Sequence, residues 1–194
     1  MTEADPSFFR ELRDLCDKLG IMLIFDEVQT GIGRTGNWFF AGSVLADAVE
    51  PDVTTLAKSL GSGVPVGACL VNDRVSANIK LNDLGTTFGG GMLAMAAVLA
   101  TLEAIEADDM IANAKRVEQH LRDSLTNVPN VVGIRGKGCL LGIGFDGPCK
   151  PFHAKLLDCK IITGTSSDPR VLRLLPPLCV SVDEINMLVA VLAS

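Results

Sequence analysis

The residues of this chain with the most evident chemistry stand where apolar runs end. Residues 21–25 form a continuous hydrophobic run that terminates in Asp26 and Glu27, and Lys58 terminates the run that begins at Val53. The interval of roughly 30 residues suits two adjacent parallel strands joined by a crossover. Side chains so placed project into the crevice at the carboxyl ends of the strands, where open α/β sheets hold their ligands. Two roles are open to Asp26 and Lys58. As a buried ion pair they would be structural, though such a pair is costly to desolvate and often no better than an apolar substitute. As a reactive pair, Asp26 would face a cation and Lys58 would have to lose its proton, because an amine of pKa near ~10.4 is a poor nucleophile at neutral pH. Desolvation or a cationic neighbour frees such an amine, as Schiff-base lysines require.

Other candidates are weaker on their residues alone. Gly31, Gly33 and Gly36 spell G-x-G-x-x-G after a strand, the literal dinucleotide fingerprint. No helical pattern opens at these glycines, and two carboxylates at the strand end would repel a pyrophosphate. Thr86 and Thr87 read either as ligand contacts or as a turn before a helix. Arg173 reads as a carboxylate clamp or as a surface arginine on an amphipathic strand. The six cysteines contain no C-x-x-C pair and there are two histidines, His120 and His153. That pattern disfavours a metal site, a disulfide framework and a Ser-His-Asp or Cys-His enzyme.

The elements that must position these residues alternate. Asp5-Pro6 opens a helix with Phe8, Phe9, Leu12, Leu15, Cys16 and Leu19 on one face, and Gly20 ends it. The unbroken apolar character of residues 21–25 predicts a strand buried on both faces of a parallel sheet. Strands are expected at 53–57 and 64–71, and helices at 93–105 and 111–125. Further strands are expected at 131–134, 139–145, 161–163 and 171–175. Ser181 and Glu184 form a capping box for a last helix ending near Ala193. The fold class is therefore α/β, with residues 1–107 forming a mainly parallel sheet with helices and 108–194 a small α+β unit. The chain has 194 residues, 48% hydrophobic, with a net charge of −6, enough to bury roughly 70% of its unfolded surface. The acidic balance argues against nucleic-acid or anionic-membrane partners. No run reaches the ~18 apolar residues of a membrane span, and no signal or transit peptide is readable.

The stretch Leu23-Ile-Phe-Asp-Glu-Val-Gln-Thr-Gly-Ile-Gly-Arg-Thr-Gly36 resembles the central signature of class III pyridoxal-phosphate aminotransferases, which have the type I fold. The resemblance continues through Asp52-Val-Thr-Thr-Leu-Ala-Lys58, Gly85-Thr-Thr-Phe-Gly-Gly90 and Val171-Leu-Arg-Leu-Leu-Pro-Pro177. Within the class the wording is most similar to the acetylornithine branch, with the ornithine and 4-aminobutyrate branches as alternatives. The resemblance implies pyridoxal 5′-phosphate as cofactor and amino transfer from N-acetylornithine to 2-oxoglutarate, a step of arginine biosynthesis. It gives Lys58 the role of the cofactor-linked lysine and Asp26 that of the carboxylate on the pyridine nitrogen. Val28 would lie on one ring face and Gln29 near the ring hydroxyl, with Glu27 counted among the cofactor-binding residues. Thr87 would bind the cofactor phosphate of a neighbouring subunit, which implies a homodimer, and Thr86 would lie near the substrate. Arg173 would clamp the substrate α-carboxylate, a task suited to a planar guanidinium fork. Arg34 belongs to the signature without an assigned role.

The resemblance also implies that this chain is the C-terminal half of the family fold. The half that supplies the glycine-rich phosphate turn and the second ring-stacking aromatic is expected to precede Met1. The alternative function is then a non-catalytic fragment or interaction module, with an open sheet edge and apolar faces that require a partner. The implied location is cytoplasmic for a bacterial protein, or organellar. A second departure, Gly91-Met92 after Gly90 where relatives carry a proline, alters only a helix start.

Overall fold

The computed structural model describes residues 4–44 and 49–194, so the first residues of the expected 1–107 unit lie outside it. The chain forms two compact units, one of Ala4–Gly33 with Asn37–Asp108, the other of Arg34–Gly36 with Asp109–Ser194.

The first unit opens with helix α1 (Pro6–Leu19). The Asp5 side chain caps it by accepting from Ser7 N, and Gly20 closes it in the left-handed conformation, φ 66°. Strand β1 (Ile24–Asp26) pairs in parallel with β2 (Val53–Leu56), which pairs antiparallel with β3 (Ala68–Val71). Two short helices, α2 (Phe40–Val44) and α3 (Asp73–Ser76), and the longer α4 (Met92–Ala107) complete the unit. Phe9 meets Phe25 and Phe40 edge-on, with ring centroids 5.9 and 6.1 Å away. Beside them Cys16, Leu23 and Val49 form a small core.

Two expectations are corrected here. β1 is not buried on both faces: it lies at the edge of its sheet, and Ile24 is 58% exposed. A run of apolar residues reports what a strand could bury, while its position in the sheet decides what it does bury. The third strand begins at Ala68 rather than Val64, because Pro65 has no N–H for a ladder, and it runs antiparallel.

The second unit packs helices on an antiparallel sheet. Its helices are α5 (Met110–Leu125), α6 (Lys150–Asp158) and α7 (Val182–Ala193). Its strands β4 (Val131–Lys137), β5 (Leu140–Phe145), β6 (Gly164–Thr165) and β7 (Val171–Leu174) are ordered β4-β5-β7-β6. The helical spacing of α5 buries Ala114, Val117, Leu121 and Leu125, and the alternating face of β5 buries Leu141, Ile143 and Phe145. Ser181 and Glu184 form the capping box of α7. The strand expected at 161–163 is displaced to Gly164–Thr165, since Lys160 turns in the left-handed region (φ 65°) and Ile162 faces solvent. Burial pushes the Cys139 thiol up to about 11, so it stays protonated at neutral pH. No helix among the described residues is long and apolar enough to cross a membrane.

Candidate functional site

Asp26 and the segment leading to Lys58 are brought together by strand register. In the β1–β2 pair Asp26 lies opposite Thr55, three residues before Lys58, so both side chains belong to the carboxyl ends of adjacent parallel strands. Asp26 Oδ1 accepts from Val28 N at 3.0 Å and from Thr55 Oγ1 at 3.2 Å. Its Oδ2 has no partner among the described residues. The carboxylate is thus oriented by one oxygen and open at the other. Lys58 has φ 47°, a left-handed conformation sparsely populated by residues with a side chain. It starts a 3-10 turn, Lys58–Gly61.

The ion pair admitted by the sequence does not form: among the described residues no salt bridge joins Asp26 to Lys58. Nor are these groups buried, since both are exposed. The cause is again the edge position of β1, which leaves the strand end uncovered. Thr55 was not singled out by its sequence; its signal was a hydroxyl in a strand that ends at Lys58.

Glu27, which the resemblance counts among the cofactor-binding residues, lies just past the end of β1 and is buried. Alternation along the strand turns its side chain away from that of Asp26. Its buried carboxylate accepts from Phe40 N at 2.7 Å, Ala41 N at 3.2 Å and Thr30 Oγ1 at 3.1 Å. Glu27 therefore ties the turns after β1 to the start of α2. Val28 is half-buried and Gln29 exposed in those turns. Thr86 and Thr87 lie in the exposed segment before α4, where Thr86 Oγ1 accepts from Gly89 N at 3.1 Å.

At the opposite, amino end of the same two strands lies a carboxylate that sequence reasoning missed. Asp52, with a side chain 2% exposed, accepts from Leu23 N at 2.7 Å, Arg13 Nη1 at 2.8 Å and Asn72 Nδ2 at 3.3 Å. One group thereby fixes α1, the approach to β1, the start of β2 and the residue after β3. Its hydrogen bonds to the Leu23 amide and the Arg13 guanidinium bring its pKa from 3.8 down to about 2. The only sequence signal was an acidic residue directly before an apolar strand.

In the second unit, Arg34 of the signature acquires a place. Its carbonyl accepts from Cys139 N at 2.9 Å, and its Nη1 donates to the carbonyls of Cys139 (3.3 Å) and Pro176. Gly138 (φ 57°) lies directly on this segment, where an added Cβ would come within 2.6 Å of the Arg34 carbonyl oxygen. Burial lowers the guanidinium's pKa. One arginine thus clips the start of β5 to the turn just beyond Arg173. Arg173 is the third residue of β7, and its Nε is buried without a hydrogen-bond partner among the described residues.

In sequence and in fold the chain is similar to known aminotransferases. The family model for Aminotransferase class-III matches residues 1–194. Acetylornithine aminotransferase 1 of Bordetella bronchiseptica is 42% identical, over 97% of this chain and 48% of that protein. The crystal structure of acetylornithine aminotransferase from Elizabethkingia anophelis superposes with a TM-score of 0.83 at 27% identity, covering 97% of this chain and 49% of that one. That of ornithine aminotransferase from Toxoplasma gondii gives 0.83 at 30% identity, covering 97% and 46%. The chain spans about half the length of the curated relatives it matches.

Proposed function

The chain belongs to the class III aminotransferase family, and from that premise we propose that it supplies the cofactor lysine, the ring-nitrogen carboxylate and the carboxylate clamp of a pyridoxal-phosphate-dependent aminotransferase. The proposed substrates are N-acetylornithine and 2-oxoglutarate, in line with the names of its curated relatives. The carrying observation is the register that sets Asp26 opposite Thr55 and so beside the strand that ends at Lys58. On this reading residues 1–107 belong to the cofactor-binding domain and 108–194 to the small domain.

The residues present fit the group. Asp26 keeps one carboxylate oxygen free at an open strand end, and Lys58 is exposed with no ion-pair partner among the described residues. Lys58 would hold pyridoxal phosphate through Nζ, Asp26 at the pyridine nitrogen, Val28 at a ring face and Gln29 at the ring hydroxyl. Thr87 would hold the phosphate of a neighbouring subunit. When bound, the group supplies a ring that accepts electron density from the substrate carbon. The Asp26 carboxylate keeps a proton on the ring nitrogen, and Val28 N and Thr55 Oγ1 fix its direction. Lys58 Nζ moves the proton at the substrate carbon that bears the amine. Arg173 holds the carboxylate of the amino or oxo acid, a bidentate task for which lysine is a poor replacement.

The test is glutamate formation from 2-oxoglutarate with N-acetylornithine, ornithine and 4-aminobutyrate as competing donors. N-acetylornithine is expected to lead in kcat/KM by about tenfold or more. Preference for another donor moves the assignment to that branch. No glutamate from any donor removes the catalytic reading.

A second reading, association with another protein surface, rests on the exposed apolar residues around Thr86 and Thr87. Leu81, Phe88 and Met92 are each at least 90% exposed, a concentration that marks interaction surfaces. It accompanies the catalytic reading as a dimer contact, and would stand alone if catalysis were absent.

A further inference from the structure

Arg173 has a glycine on either side of it. β7 runs between β5 and β6, and the register sets Arg173 opposite Gly142 of β5 and Gly164 of β6. Directly opposed residues of antiparallel strands point to the same face, with neighbouring strands about 4.8 Å apart. The face that carries the guanidinium therefore has no side chain at either adjacent position. The other face shows how such positions are ordinarily filled: Leu174 lies opposite Leu141, and Leu172 opposite Ile143, all four buried.

The empty position at Gly164 is used. A Cβ on Gly164 would stand 3.4 Å from both Cβ and Nε of Arg173 and 3.6 Å from Nη2. The side chain thus lies along the Gly164 backbone, at a distance that admits one methyl group and nothing branched. Hydrogen bonds do not set this position. Nε is buried without an acceptor, and among the described residues Arg173 takes part in no salt bridge. Among the described residues nothing bonds Nε of this long, flexible cation, and shape holds it instead.

We propose that Gly164, with Gly142 on the other side, is a positioning residue for Arg173: the side-chain-free lane seats the guanidinium along the sheet and thereby sets the affinity for carboxylate-bearing substrates. This rests on the reading of Arg173 as the carboxylate clamp. Gly164 touches no reacting atom; it acts through the arginine it seats.

The experiment compares the full protein with its Gly164→Ala, Gly164→Val and Arg173→Gln variants. It measures 2-oxoglutarate affinity by titration calorimetry, KM and kcat for the same acid, and the thermal midpoint. Gly164→Val is expected to weaken Kd and raise KM about tenfold, with kcat within about twofold. Its thermal midpoint should hold or rise, because a β-branched residue suits a strand better than glycine. Gly164→Ala should change Kd by less than about threefold, since its single methyl fits. Wild-type affinity in Gly164→Val, alongside lost affinity in Arg173→Gln, overturns the seat and leaves the clamp standing. Equal losses in the alanine and valine variants, or a loss that follows a fallen midpoint, also overturn the seat. Unchanged affinity in Arg173→Gln overturns both, because the seat serves only that arginine.

Discussion

Asp26→Asn lowers turnover about 10²- to 10³-fold while pyridoxal phosphate still binds. The amide preserves the shape of the side chain and can keep the contacts with Val28 N and Thr55 Oγ1. It carries no charge, so it no longer holds a proton on a pyridine nitrogen. The loss should therefore appear in kcat, with KM for both substrates little changed. Cofactor absorbance and steady-state kinetics on one preparation separate the two effects. Near-normal turnover removes Asp26 from the role proposed for it, and loss of cofactor binding would make it a holding group only.

Asp52→Ala destabilises the first unit by about 3 kcal/mol or more, the expected result of removing one partner of a buried, hydrogen-bonded ion pair. Arg13 loses its buried counter-charge and the Leu23 amide its acceptor. For a unit of this size the midpoint should fall by roughly 10–20 °C. The same carboxylate gives a pH signature of defined sign. Its pKa in the folded protein, about 2, lies below its usual 3.8, so its contribution is complete above about pH 4 and is lost as pH falls toward 2. Urea unfolding followed from pH 5 to 2.5 should show wild-type stability falling through that range, with a shallower fall in Asp52→Asn. Parallel profiles for the two proteins would mean that Asp52 ionises alike in both states.

What was legible in the sequence was local. The Asp5 and Ser181 caps, the Gly20 stop and the four buried positions of α5 follow from residue type and spacing, and the structure has them. What was not legible depends on neighbours remote in sequence. The apolar run 21–25 predicts a doubly buried strand, yet β1 lies at a sheet edge, and no spacing within the run encodes that. The apolar residues 161–163 resemble a strand, but the chain pairs with β7 through Gly164 and Thr165 because the turn at Lys160 delivers those residues to it.

The site divides in the same way. Asp26 and Arg173 carry charges in strands, Lys58 carries one just past a strand, and all three stand out. The groups that brace the surrounding segments do not: Thr55 meets Asp26 through inter-strand register, Asp52 joins three segments, and Arg34 reaches carbonyls more than 100 residues away. Glu27 shares the motif of its neighbours, and nothing in that motif signals its hydrogen bonds to the start of α2.

The central claim is that Lys58 is the residue that links to pyridoxal phosphate. Incubating the protein with pyridoxal phosphate, reducing with borohydride and digesting for mass spectrometry tests it directly. The label is expected on the peptide containing Lys58, at about one per chain, and absent from the same peptide position in Lys58→Ala. Label spread over the exposed lysines, with no preference for Lys58 and no change in Lys58→Ala, would contradict the account.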